Sequence, residues 1–447
     1  MPFHNRRVLV LDGHTNQALA CARSLGRGGA TVFIASPTRR PLAAWSRYCR
    51  DSFHQSGDSV AALAEVRDWA RVQGVQVVLP QRERTCLMLN TERHEWERWG
   101  MRLGCGPTDL LLRAFDKAST LRFAQACGVR IPPTGFPTSF AEAREAAAAV
   151  GYPCIVKPRL SDYWDGTHYV AAHGAEYVRD EADLEATVLA CRQGTLWPLI
   201  QGVVGGRGKG VFALYDRGTP IVWFAHERLR DIRPSGSGSS LRRSIPVEPR
   251  LREPSMRLLA AMGWHGPAMV EFRDDGEGEP CLMEVNGRFW SSLALAVAAG
   301  VDFPAMWTAL IGNMPVAAPV DYKSGVTLRW LWGDVKRALF ILDGPPPGCP
   351  VPYPSWAKGF WEILGPQPRG TRSEMWSWND PWPSVGEWVQ GAAELGRVVR
   401  ERLWHRRAPA TQRALLTSAP VAAPMPAPAP ASPPPSQVSE TVMAVQA

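Results

Sequence analysis

The sequence has no paired cysteines: its nine thiols are scattered singly, with no C-x-x-C among them. That spacing argues against a structural zinc site or a disulfide framework and fits reduced thiols packed in cores. No long lysine or arginine block precedes Arg397–Arg407, although the formal net charge is +8. A modest, dispersed basic excess suits small anions as well as polyanions. Without a nucleic-acid fold signature, no nucleic-acid partner is expected. No apolar run is clean enough to cross a bilayer. The most apolar stretch, Leu293–Gly312, contains Asp302 and Pro304 and reads as two consecutive buried helices. The opening MPFHNRRVLVLDG lacks the long apolar segment of a secretory signal. No membrane partner and a cytoplasmic location are therefore expected. Internal repeats are also missing.

What is present describes an ordinary folded chain. Its 447 residues, 45% of them apolar, are too many for one core, and about three domains follow from a typical size of ~150 residues. Arg7–Asp12 contains the continuous apolar run VLVLD expected of a buried parallel strand. Asn16–Leu25 reads as a helix, Ala30–Ala35 as a strand, Val60–Gln73 as a helix and Val75–Pro80 as a strand. This alternation predicts a doubly wound parallel sheet with helices on both faces. The turn after the first strand is G-H-T-N-Q, not G-x-G-x-x-G, so NAD is disfavoured.

From Gly104–Pro107 onward the pattern changes. Asp109–Gly128 predicts one helix with Leu110, Leu111, Phe115, Leu121 and Ala124 on its apolar stripe. Ala141–Val150 is a second helix, and Tyr152–Lys157, Leu199–Val204, Val211–Tyr215 and Ile221–Arg230 are strands. Asp231–Ser240, DIRPSGSGSS, is a flexible loop by composition. Pro254–Met262 is helical. Ala268–Arg273 and Cys281–Asn286 flank the turn DDGEGEP as a β-hairpin, with a helix at Phe289–Ala299 after it. Beyond Ala318, tryptophan and proline crowd Trp330–Trp388, with helices expected at Asp334–Leu342 and Val385–Trp404. Ala408–Ala447 is alanine, proline and serine with little charge, a composition expected to be disordered.

The hairpin carries the strongest chemistry. If it turns between Glu277 and Gly278, Glu271 faces Glu284 with Cβ atoms ~5 Å apart. Alternation puts Glu284, Asn286 and Arg288 on one face if the strand runs that far. Facing carboxylates repel unless a cation lies between them. Two carboxylates and an amide oxygen suit Mg²⁺, which takes waters and substrate phosphates as its other ligands. The competing reading is two solvated glutamates on a sheet edge.

The order Glu271…Glu284-x-Asn286-x-Arg288 resembles the metal hairpin of the ATP-grasp superfamily, in the form of its biotin carboxylase and carbamoyl phosphate synthetase branch. FWSSLALAVAAGVDFP resembles the helix and turn that follow it, and FDKAST and PCIVKP resemble the family's two lysine segments. The resemblance spans roughly Arg7 to Pro319. It implies that Glu271, Glu284 and Asn286 hold Mg²⁺, with Mn²⁺ as a substitute, and that Lys117 and Lys157 contact ATP phosphates. It also implies that Gln201 and the backbone of Val203 meet the adenine edge, and that Arg288 contacts the transferring phosphate or the substrate carboxylate. Arg228 and Arg230, on one side of their strand if it alternates, are then candidates to recognise the acyl substrate; a basic solvent face is the competing reading. Two segments depart from the family. The region after Gln201 reads GGRGKG, without the acid that meets the ribose. The loop after Lys157, RLSDYWDGTHYV, has only Gly166 where a glycine-rich turn is usual, so Tyr163, Trp164 or His168 either contacts ligand or simply packs.

The expected fold is thus α/β and α+β. A doubly wound pre-ATP-grasp sheet covers residues 1–105 and a small lid subdomain 106–200. An antiparallel-sheet catalytic subdomain covers 201–318, a Trp/Pro-rich extension 319–407 and an Ala/Pro tail 408–447. The implied activity is an ATP- and Mg²⁺-dependent ligase that activates a small-molecule carboxylate as an acyl phosphate for attack by an amine, releasing ADP and phosphate. A homo-oligomer is left open. The alternatives are a bicarbonate-activating carboligase and a non-catalytic ATP-binding regulatory module.

Overall fold

The computed structural model describes residues 3–165 and 168–407, with side chains described as far as Gly396. Gly166 and the tail Ala408–Ala447 lie outside the described residues. Five parallel strands open the chain: β1 (Arg7–Val10), β2 (Thr31–Ser36), β3 (Cys49–His54), β4 (Val77–Leu79) and β5 (Arg102–Leu103), in the order β3-β2-β1-β4-β5. Val8, Leu9 and Val10 are fully buried, as a strand covered on both faces requires. The helices Asn16–Arg27 and Val60–Val72 start at Thr15 and Ser59, whose hydroxyls accept first-turn N–H groups. The strand β3 was not expected; its CRDSFH pattern is polar and partly exposed, as befits a sheet edge. Strand order reverses between β1 and β4. The loops at their carboxyl ends, Gly13–Thr15 and Gln81–Arg84, therefore flank the crevice where such sheets bind ligands.

The single helix expected over Asp109–Gly128 is two, Thr108–Phe115 and Lys117–Ala126. Asp116 breaks it by leaving the helical conformation and accepting the Ala118 N–H, which caps the second helix. Lys117 is thereby placed at the first position of a helix and not in the middle of one.

The next sheet is antiparallel. It contains β6 (Thr134–Gly135) and β7 (Cys154–Lys157); a separate hairpin, β8 (Asp162–Trp164) and β9 (Tyr169–Ala171), follows; β10 (Glu176–Val178) and β11 (Leu199–Gly202) complete it in the order β10-β7-β11-β6. Helices Phe140–Val150 and Glu181–Cys191 close a small core over it, built from Ala143, Ala147, Val156, Leu184 and Val188.

The largest sheet comprises β12 (Arg207–Asp216), β13 (Thr219–Arg230), β14 (Leu241–Ile245), β15 (Gly266–Asp274), β16 (Cys281–Asn286), β17 (Thr327–Arg329) and β18 (Arg372–Ser373), in the order β16-β15-β12-β13-β14-β17-β18. Two of its strands come from beyond residue 318. The segment after β18 is tied to the first sheet's helix Asn16–Arg27. Buried Arg23 binds the Asp380 carboxylate at 2.8 Å and the carbonyls of Glu374, Met375 and Asp380. Four hydrogen bonds, one of them to a carboxylate, offset the cost of burying this guanidinium. Leu293–Ala299 and Phe303–Ile311 are two mostly buried helices bent by 97°, and among the described residues no single helix is long and apolar enough to cross a membrane.

Candidate active site

The hairpin β15–β16 sets Glu271 opposite Glu284 and Met269 opposite Asn286. Register shifts just after Glu271, so that Phe272 faces Leu282 and Met283 is absorbed as an extra residue. The neighbouring strand shapes the rest of this face. On β12, Gly210 lies opposite Glu271 on one side and His226 on the other. A Cβ on Gly208 would stand 2.8 Å from Arg228 Cδ, and one on Gly210 would stand 2.9 Å from His226 Nε2. The missing side chains clear a path for Arg228 to cross β12 from β13 and pair with Glu271 on β15. The glycines of GGRGKG, considered in the sequence only for the ribose contact, thus make room for an ion pair. His226 beneath them stacks edge-on against Phe212 at 4.7 Å. Burial holds its pKa well below the usual range, helped by Arg228 and Arg242, so the ring is neutral.

Lys157, at the end of β7, and Lys117 bring positive charge to the other side of the carboxylates. Burial by itself would raise the Glu284 pKa. Lys157, Lys117, the Asn286 amide and Arg228 together outweigh it and hold the carboxyl at about 2. Glu271 is pushed up, by burial first and by the Glu284 charge as well, while Arg228 draws it back. Burial lowers Lys157 against the pull of Glu284. The Asn286 amide nitrogen donates to Glu284 at 3.2 Å, and among the described residues the amide oxygen has no hydrogen-bond donor. Among the described residues no group of three or more His, Cys, Asp or Glu could hold a metal ion. The donor set here is two carboxylates and one amide, with substrate oxygens needed to complete a shell, which is how Mg²⁺ is commonly bound with nucleotides.

The remaining candidates divide. Lys117 Nζ lies 3.4 Å from Ser161 Oγ, and Arg159 pairs with Asp116 to tie the start of its helix to the end of β7. Gln201 is buried on β11, its amide nitrogen donating to Thr134 Oγ1 at 3.2 Å. Val203 follows the strand, with an N–H that makes no backbone hydrogen bond among the described residues.

Arg230 requires a correction. A register shift between Arg228 and Arg230 turns the latter away from its expected partner. It instead binds both carboxylate oxygens of fully buried Asp334 at 2.9 Å, with Gln367 beside it. Arg288 also departs from the expected face. Strand β16 ends at Asn286, so Arg288 lies beyond the alternation and donates to Glu83 at 3.2 Å at the carboxyl end of β4. Lys209 is tied to Asp274 and Glu248. In the hairpin β8–β9, Trp164 packs on Tyr169 with ring centroids 5.3 Å apart, and exposed His168 stands beside Asp165.

Sequence reasoning overlooked the residues that bring the first sheet to this cleft. Asp162 of β8 lies 3.6 Å from both Arg82 and Arg84. Asp12 accepts from the Gln81 N–H at 3.0 Å and from Thr85 at 2.8 Å, joining the loops after β1 and β4. The reversal of strand order at β1 and β4 was the signal that could have singled out Gln81–Arg84. Cavities of about 730 and 1000 Å³ lie elsewhere, the first lined by Arg27, Arg372, Trp376 and Trp378, the second by Arg93, Arg217 and His265.

Comparison with known proteins agrees with this architecture. Residues 222–333 match the family described as ATP-grasp in the biosynthetic pathway with Ter operon. A D-alanine–D-alanine ligase of Stutzerimonas stutzeri is 29% identical over 208 residues, which is 42% of this chain and 62% of that protein. An ADP complex of N5-carboxyaminoimidazole ribonucleotide synthetase superimposes with a TM-score of 0.58 at 15% identity, covering 76% of this chain and 87% of that one. Over residues 222–333 the chain is thus similar to an ATP-grasp family, and its fold is of that type. Biotin carboxylase from Campylobacter jejuni shares the ATP-grasp fold with it, at a TM-score of 0.57 and 15% identity over 72% of this chain and 74% of that one. The chain spans about three fifths of the length of the D-alanine–D-alanine ligase it matches. Lys117, Lys157 and the acidic hairpin come from separate elements that only the tertiary fold brings within reach of one another.

Proposed function

We propose that the chain is an ATP- and Mg²⁺-dependent ligase that activates a substrate carboxylate as an acyl phosphate and passes it to an amine. The observation that carries this reading is Glu284, kept anionic between Lys157 and Lys117 and set directly across from Glu271. Bound Mg²⁺ would supply charge neutralisation at the ATP phosphates, and Glu271, Glu284 and Asn286 are the residues that would hold it. Lys117 and Lys157 would orient the polyphosphate as point charges. Gln201 and the Val203 N–H would read the adenine edge. Arg228, behind Glu271, would hold that carboxylate in place and keep it charged. Arg288, lodged between the hairpin and Glu83, faces the first sheet's crevice, where an acyl or amine substrate would sit. Phosphoryl transfer needs positioning and charge compensation more than a side-chain nucleophile, and this cleft is rich in both. The parts we assign are the sheet of residues 1–105 for substrate, 106–200 as the lid, 201–318 as the catalytic body and 319–407 as a strut.

The test is incubation with ATP, Mg²⁺ and hydroxylamine against a panel of amino acids, other carboxylates and bicarbonate. A carboxylate-dependent hydroxamate with matching ADP release supports the ligase. ADP release with bicarbonate alone moves the assignment to a carboligase. ATP binding without any substrate-dependent ADP release overturns both in favour of a regulatory module.

A further inference from the structure

Helix Trp356–Leu364 carries an apolar surface that the rest of the described chain leaves bare. Trp356 is 66% exposed, Phe360 45%, Trp361 66% and Leu364 81%. Single exposed apolar residues are common, but four large ones on a nine-residue helix form a patch that calls for a partner. At about 100° per residue they occupy an arc of about 140°, and the rings of Trp356 and Phe360 touch, with centroids 6.4 Å apart. The opposite side is the one that packs. Gly359 lies against Ile341, and Glu362 accepts from Arg337 at 2.7 Å. Prolines on both flanks, among them Pro352, Pro354, Pro366 and Pro368, stiffen the connections. The helix is held from inside and presents a fixed aromatic face outward.

Charge identifies what can cover that face. Lys358 beside it and Arg369 and Arg372 just after the helix are exposed, with no acidic partner among the described residues. Glu362, the acid within the helix, is committed to Arg337. In a two-fold contact between copies, the same basic surface would be turned towards itself with no acidic patch to meet it. An anionic bilayer satisfies both properties together: aromatic and leucine side chains enter the acyl boundary while lysine and arginine meet lipid phosphates. We propose that helix Trp356–Leu364 is an interfacial anchor that seats this protein on anionic membrane surfaces. The expectation of no membrane partner came from the lack of an apolar span, and a helix lying in the interface needs none.

Co-sedimentation of the full chain with vesicles tests this, using phosphatidylcholine mixed with phosphatidylglycerol against phosphatidylcholine alone. The chain should pellet with the mixed vesicles and release at high salt. A variant combining Trp356→Ser, Phe360→Ser, Trp361→Ser and Leu364→Ser should lose at least about tenfold in vesicle affinity. Lys358→Glu with Arg369→Glu should weaken binding to the mixed vesicles by a similar factor and leave the thermal unfolding midpoint unchanged. If the serine variant misfolds, the charge-reversal variant decides alone. Failure of the wild type to bind the mixed vesicles overturns the proposal, as does equal binding by wild type and variants. Loss of a dimer in light scattering without any change in vesicle binding would assign the face to a second copy and overturn it too.

Discussion

The hairpin β15–β16 and the hinge after β11 sit at the two ends of the proposed nucleotide site and are built by opposite means. The hairpin end is charged and interlocked: Glu284 is held anionic by two lysines, and Glu271 is paired with Arg228 across a strand that carries glycine at Gly208 and Gly210. Removing one member leaves its partner desolvated and uncompensated, which costs more than the pair contributes. The hinge end is neutral, a buried amide and a backbone N–H. Loss there removes a hydrogen bond and little else. The difference teaches where turnover and affinity should separate.

The largest effect is expected at Glu284. Glu284→Gln should lower substrate-dependent ADP release by ~10²–10³-fold; near-normal turnover would detach the hairpin from the chemistry. Next comes Arg228→Met, which strands Glu271. Chemical denaturation without Mg²⁺ should show a loss of about 3 kcal/mol, partly recovered when Mg²⁺ and ATP are added. A loss below about 0.5 kcal/mol would mean that solvent screens the pair.

The pH dependence sharpens the same contrast. Glu284 has a pKa depressed to about 2, so its stabilising share is complete above the ordinary glutamate range and is lost as pH falls from there towards 2. Glu271, with a raised pKa, works the other way: its burial cost is felt once it ionises and is relieved as pH falls. The acid limb of the unfolding midpoint should therefore be flatter in Glu284→Gln than in the wild type, and parallel limbs would contradict the charged cluster. The smallest change belongs to the hinge. Gln201→Ala should weaken ATP binding by tenfold or less, about 1 kcal/mol, with turnover at saturating ATP unchanged.

The N-terminal alternation and the acidic hairpin were readable because each follows from short-range periodicity, whereas the lysine segments were readable only through the family resemblance. The splitting of the Asp109–Gly128 helix was not read, although Asp116 followed by Lys117 and Ala118 is a capping sequence; the apolar stripe continued across it and masked the break. Strands as short as β5 or β18, with two residues each, carry too little pattern to announce themselves.

By itself the sequence placed Glu271 and Glu284 on paired strands of one hairpin, but the pairing next to the turn sets Phe272 against Leu282, and only the bulge at Met283 brings Glu271 opposite Glu284. The sequence also determined that Asn286 would share the side of Glu284. Only the tertiary structure decided which arginine reaches Glu271. Arg228 and Arg230 are equivalent by parity, and a local shift in pairing sends one to Glu271 and the other to Asp334. It alone decided that Arg288 would meet Glu83, more than two hundred residues earlier in the chain. Backbone geometry propagates over a few residues, whereas a side chain's partner is chosen by which distant elements pack within reach and by where a bulge turns the strand.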